Sequence, residues 1–84
     1  MDNLFIAYQK LKDMTSHITE PKINITYDDF MGEIKVSTKN EKNNSTMFFY
    51  IFRDNLKDFK DEKDIEIYIC YKIIFLLLRL LKEV

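Results

Sequence analysis

Residues 46–53 of this 84-residue chain read TMFFYIFR, and no other segment limits the possible folds as much. Side chains along an extended strand alternate with a period of two. Met47, Phe49 and Ile51 therefore point to one side, and Phe48, Tyr50 and Phe52 point to the other. Strands that are apolar on both sides are normally covered on both sides. A chain of this length builds one core and hides only about 60–65% of the surface its unfolded form exposes. Two or three short helices on a three-stranded sheet cover a single face. One row packs on helices, and two outcomes stand for the opposite row: it is enclosed within the same molecule, or it meets another chain or stays exposed.

The rest of the chain supplies the partners for that strand. Asp2 is placed to cap a first helix, and Leu4, Tyr8, Leu11, Met14 and Ile18 follow at helical spacing, so a helix is expected to about His17. Pro21 pushes Glu20 out of the α region and ends it. Ile23, Ile25 and Tyr27 then alternate with Asn24 and Thr26 as a first strand. Asp28, Asp29, Phe30, Met31 and Gly32 form a turn, and Ile34, Val36 and Thr38 alternate with Glu33, Lys35 and Ser37 as a second strand. The polar, asparagine-rich residues 39–45 suit a hairpin loop, because Asn tolerates left-handed backbone.

Beyond the third strand, the pattern predicts a short helical turn near residues 55–60 and a long helix over about 61–83. Asp61, Glu62 and Asp64 sit at its positive end, and Arg79 and Lys82 at its negative end. Lys72, Arg79 and Glu83 form one narrow polar stripe on a helix otherwise made of Ile, Tyr, Phe and Leu, which implies burial on most sides. Ile65, Ile67, Ile69 and Tyr71 also alternate with Glu66, Tyr68, Cys70 and Lys72. A fourth strand at 65–71, with the helix reduced to 73–83, is thus the alternative. The expected architecture is α+β in a single domain over residues 1–84: N-terminal helix, three-stranded antiparallel sheet, short helix, long apolar C-terminal helix.

Apolar residues at 46% and charged residues at 32% of the chain belong to the globular class. Thirteen basic against fourteen acidic residues give a net charge of −1, so no long-range field draws the chain to nucleic acid or anionic lipid. Cys70 is the only cysteine, which rules out an intramolecular disulfide and suits a reducing compartment. The first residues carry neither a basic nor an apolar leader pattern, so a cytoplasmic location is expected. Spanning a bilayer takes a run of about 20 apolar residues. The stretch 73–78 is far shorter, and Glu66, Lys72 and Arg79 interrupt its surroundings.

Reactive groups do not converge. His17 and Cys70 are the only candidates for a thiol and imidazole pair, and Cys70 sits among isoleucines and tyrosines as a small hydrophobe would. One Cys and one His cannot supply a zinc site, residues 54–66 lack the glycine of a calcium loop, and Gly32 alone cannot cradle a phosphate. No catalytic residue, metal or cofactor is expected. Asp54, Asp58, Asp61, Glu62 and Asp64, with Glu66, form an acidic stretch. A single helix through it would space carboxylates about 6 Å apart, like successive phosphates. Lys57, Lys60 and Lys63 are interleaved and can pair with these acids on a solvated face. Lys35, Lys39 and Lys42 make the hairpin tip mildly basic, with Glu41 among them, and read as solubilising.

The element order, small size, abundance of Lys, Asn and Ile, and acidic segment together resemble some small phage-encoded inhibitors of bacterial defence systems, anti-CRISPR proteins among them. The resemblance covers the whole chain as order and composition and carries over no individual residue. It implies a non-catalytic protein in the host cytoplasm that occupies a surface of a defence nuclease or its nucleic-acid channel. The residues that would meet such a protein partner are Phe48, Tyr50, Phe52, Asp54, Asp58, Asp61, Glu62 and Asp64. Direct nucleic-acid binding is not expected. Two other readings stand beside it: a homodimeric structural or regulatory module, and a peripheral membrane protein attached through its C-terminal helix.

Overall fold

The computed structural model describes residues 2–82. Helix α1 (Asn3–Thr15) begins where Asp2 accepts a hydrogen bond from the Leu4 amide at 3.0 Å, the capping role expected of it. It stops short of His17, because the Thr15 and Ser16 hydroxyls turn back onto the carbonyls of Leu11 and Asp13 and the chain leaves the helix. Strands β1 (Ile23–Asp28), β2 (Glu33–Asn40) and β3 (Ser45–Phe52) form an antiparallel meander in the order β1-β2-β3. Asn44 takes the left-handed conformation (φ 63°) in the β2–β3 loop, and the Asn43 side chain accepts from the Ser45 amide at 3.0 Å. Both are habits of asparagine in tight turns.

Helix α2 (Arg53–Leu56) starts earlier than the expected 55–60. The Asn55 side chain accepts from the Phe52 amide at 2.8 Å, so the helical turn begins where β3 ends. Helix α3 (Glu62–Lys82) is continuous through 65–71, which settles that segment as helix and not a fourth strand. Its hydrophobic residues satisfy helical and strand periods alike, and length decides between them. Twenty-one residues are about six turns, enough for one stripe to reach both ends of the core.

The core lies between one sheet face and the two long helices. Ile34, Val36, Met47 and Ile51 rise from the sheet, while Leu4, Ala7 and Leu11 from α1 and Ile65, Ile69, Ile73 and Leu76 from α3 close over them. The register sets Ile34 opposite Ile51 and Val36 opposite Phe49, which joins the apolar rows of β2 and β3 across the sheet. Asn3 ties the start of α1 to the segment between α2 and α3: its amide donates to the carbonyls of Leu56 and Phe59, both at 2.8 Å.

One expectation is overturned. Helix α3 is not buried on most sides. Ile65, Ile69, Ile73 and Leu76 face the core, whereas Ile67, Tyr71, Ile74, Phe75, Leu78 and Leu81 are exposed. The sheet is narrow and α1 already occupies its β1 side, so among the described residues no further element is left to cover the far side of α3. Lys72 and Arg79 do flank the helix, and Glu83, the third member of the expected polar stripe, lies outside the described residues.

Candidate functional site

The two-sided strand resolves into one buried and one open row. Met47 and Ile51 are buried and Phe49 is half-buried, all toward the helices. Phe48, Tyr50 and Phe52 remain 46%, 37% and 45% exposed on the outer face. Ring contacts run along the row. Phe48 meets Tyr50 edge-on at a centroid distance of 5.6 Å, and Tyr50 stacks on Phe52 at 5.7 Å. Both are arrangements that aromatic pairs favour.

The neighbouring outward row of β2 is polar. Glu33 lies opposite Phe52, Lys35 opposite Tyr50 and Ser37 opposite Phe48. The Lys35 ammonium stands over the rings of Phe48 and Tyr50 at 4.9 and 5.8 Å. Such an attraction contributes about 0.5–1 kcal/mol at exposed sites. The apolar strip thus runs along β3, with a polar margin on its β2 side. On its other side β3 is an edge strand, and no described strand pairs with it. Its eight residues contain no proline or lysine, the residues that usually blunt an open edge.

At one end the strip approaches the β1–β2 turn. Phe30 there is 95% exposed and Met31 is exposed beside it. The turn closes at Gly32 (φ 68°), and Asp28 accepts from the Met31 amide at 3.0 Å, so the two apolar side chains are left pointing outward. The register places Glu33, the residue after this turn, opposite Phe52. At the other end, Phe48, Lys72, Phe75 and Arg79 line a cleft of about 190 Å³ between β3 and α3.

Arg53 anchors the junction of these elements. Its guanidinium donates to Asp2 Oδ2 and to Asp29 Oδ1, each at 2.8 Å, and its amide donates to the Gly32 carbonyl at 2.8 Å. The Arg53 hydrogen bond holds the Asp2 carboxyl below its ordinary range, and the same pairing raises Arg53 above its own. Desolvation and the hydrogen bond to Asp29 raise the Tyr27 hydroxyl.

The acidic candidates are not brought onto one helix face. Asp54 lies in α2, Asp58 lies in the turn after Leu56, and Glu62 and Asp64 open α3. The Asp61 carboxylate accepts from the Lys63 amide at 3.0 Å, as a helix cap does. All five are exposed around the α2–α3 junction, and the regular spacing a single helix would impose is absent. Cys70 is half-buried with its sulfur 3.8 Å from that of Met14, and His17 is exposed beyond the end of α1. Among the described residues no group of three or more His, Cys, Asp or Glu side chains is disposed to hold a metal ion, and no helix is long and apolar enough to cross a membrane.

Sequence reasoning missed two features. The exposure of Phe30 and Met31 has no signal in the turn residues around them, which specify backbone conformation and not side-chain burial. The outward apolar row of α3 was legible as a second set of spacings, Ile67, Tyr71, Ile74, Leu78 and Leu81, beside the set that faces the core. No protein family, curated protein or solved structure matches the chain.

Proposed function

We propose that the chain is a non-catalytic binding protein that engages a larger protein through the outer face of β3. The observation behind this reading is the contiguous strip of Phe48, Tyr50 and Phe52, exposed on an edge strand. Three aromatic side chains held in mutual contact offer a large apolar area at little further cost in side-chain ordering, as residues that dominate protein interfaces do. The open edge adds a second means of attachment, since an extended partner segment can hydrogen-bond to β3 and lie beside the strip. The scarcity of convergent reactive groups fits a role in binding better than one in catalysis.

The resemblance in element order to phage-encoded inhibitors makes a CRISPR-type nuclease of the host cytoplasm the partner to try first. In that setting the acids at the α2–α3 junction, from Asp54 to Asp64, would face the basic surroundings of the nucleic-acid channel. The experiment measures target-DNA cleavage by a panel of such nucleases with the chain added in excess. Inhibition by the wild type and its loss in Tyr50→Ser/Phe52→Ser support the reading. Absence of both inhibition and complex formation across the panel removes the nuclease from it.

A further inference from the structure

The side of α3 that points away from the core carries an apolar row of its own, with Lys63 at its start. At about 100° per residue, Ile65, Ile69, Ile73 and Leu76 cluster toward the sheet, and Ile67, Tyr71, Ile74, Leu78 and Leu81 cluster in nearly the opposite direction. These five residues recur at alternating spacings of four and three, the repeat that lets a helix seat a second helix along one seam. Isolated exposed leucines need no explanation, but a continuous apolar row over about four turns of a small domain does.

We infer that this seam pairs with the same seam of a second copy of the chain, the two α3 helices running antiparallel. The orientation follows from charge. Glu62, Asp64 and Glu66 open the helix with Lys63 among them, Glu66 already lying 4.0 Å from Lys10 of α1, and Arg79 and Lys82 close it. An antiparallel pair sets each acidic end beside the partner's basic end and opposes the two helix dipoles, whereas a parallel pair brings like ends level. The register follows from the spacing. With the two-fold axis between Lys72 and Ile73, Ile67 faces the partner's Leu78 and Tyr71 faces the partner's Ile74. Asp64 and Lys82 are about five whole turns apart and so share one flank. A two-fold axis turns each flank onto itself, which places Asp64 beside the partner's Lys82 at both ends of the seam.

This surface lies on the opposite side of α3 from the sheet and does not depend on the reading of β3. A dimer formed this way leaves Phe48, Tyr50 and Phe52 open on each copy, so one assembly would present the strip twice.

Sedimentation equilibrium over a concentration series, with the intact chain in plain buffer, measures the association. A concentration-dependent dimer is expected for the wild type. Ile74→Lys should raise its dissociation constant on the order of a hundredfold with an unchanged circular dichroism spectrum, since position 74 is exposed in the single copy. Asp64→Lys should weaken the dimer by about three- to tenfold, and Asp64→Lys/Lys82→Asp should restore it, which separates the pairing from any effect on the helix start. Orientation is read by oxidation in a Cys70→Ala background. Ile67→Cys/Leu78→Cys should give a covalent dimer while neither single variant does. A wild type that stays monomeric up to its solubility limit overturns the inference, whether or not it then binds phospholipid vesicles or a foreign protein. So does cross-linking of Ile67→Cys to itself, or a dimer that survives Ile74→Lys and is lost in Tyr50→Ser.

Discussion

The Arg53 guanidinium reaches across 51 positions of sequence to the Asp2 carboxylate, with Nη2 and Oδ2 2.8 Å apart. Asp2 therefore serves two partners at once: it caps α1 through the Leu4 amide and it receives the cation that opens α2. Because the folded protein lowers the Asp2 pKa below its ordinary 3.8, the associated stability is present above that value and fades as pH falls through the depressed one. Urea unfolding followed from neutral pH toward about pH 2 should show an acid limb that flattens in Asp2→Asn and in Arg53→Met. Asp2→Ala, which also removes the cap, should cost about 1 kcal/mol at neutral pH. An acid limb identical in wild type and both variants would show that the pair is not coupled to folding.

Asn3 links the first turn of α1 to the segment after β3 through two carbonyls, those of Leu56 and Phe59. Asn3→Ala leaves both without that donor, and a loss of about 1–3 kcal/mol is expected in thermal or urea unfolding. Asn3→Asp should be at least as damaging, because a carboxylate cannot donate to either carbonyl.

Neighbouring residues of α3 should behave oppositely. Ile73 is 6% exposed and Ile74 is 52% exposed. Ile73→Ala opens a cavity between α3 and the sheet and should cost about 2–5 kcal/mol, a large part of the stability of so small a domain. Ile74→Ala, measured at concentrations low enough to keep the chain monomeric, should stay within about 0.5 kcal/mol of wild type. Equal losses at the two positions would contradict the placement of the helix.

Gly32 closes the β1–β2 turn at φ +68°, and a Cβ there would come within 2.9 Å of Arg53 Nη1. Gly32→Ala meets both a backbone penalty of about 1–2 kcal/mol and a collision with the guanidinium. It should lower the unfolding midpoint more in wild type than in Arg53→Ala, where the collision is gone and only the backbone penalty remains. Equal effects in the two backgrounds would mean the guanidinium simply moves aside.

On the outer face the expectation is reversed: binding should suffer while stability does not. Phe48→Ser, Tyr50→Ser and Phe52→Ser each remove a ring held mainly by its neighbours in the strip, so the unfolding midpoint should move little. Titration with a partner that engages β3 should show losses of about 1–3 kcal/mol for each. Lys35→Ala, which uncovers the rings of Phe48 and Tyr50, should change binding less than the loss of either ring.

Local chemistry made most of the fold legible. Asp2 before an apolar stripe, alternation through Ile23–Tyr27 and Glu33–Thr38, and Asn-rich residues at the β2–β3 loop each name one structure for their own stretch, because periodicity and turn preference act over a few residues. The same period showed that β3 carries two apolar rows. It could not say which row is covered, since that depends on the hand of the meander and on where α1 and α3 return. Tertiary packing chose Met47 and Ile51 and left Phe48, Tyr50 and Phe52 outside. It also split the acidic stretch, because the Asn55 cap starts α2 at Arg53 and the helix ends after a single turn. The sequence by itself determined that this chain has more apolar faces than one small core can cover. Only the folded arrangement decided which faces those are, because burial is a property of what lies opposite a residue and not of the residue.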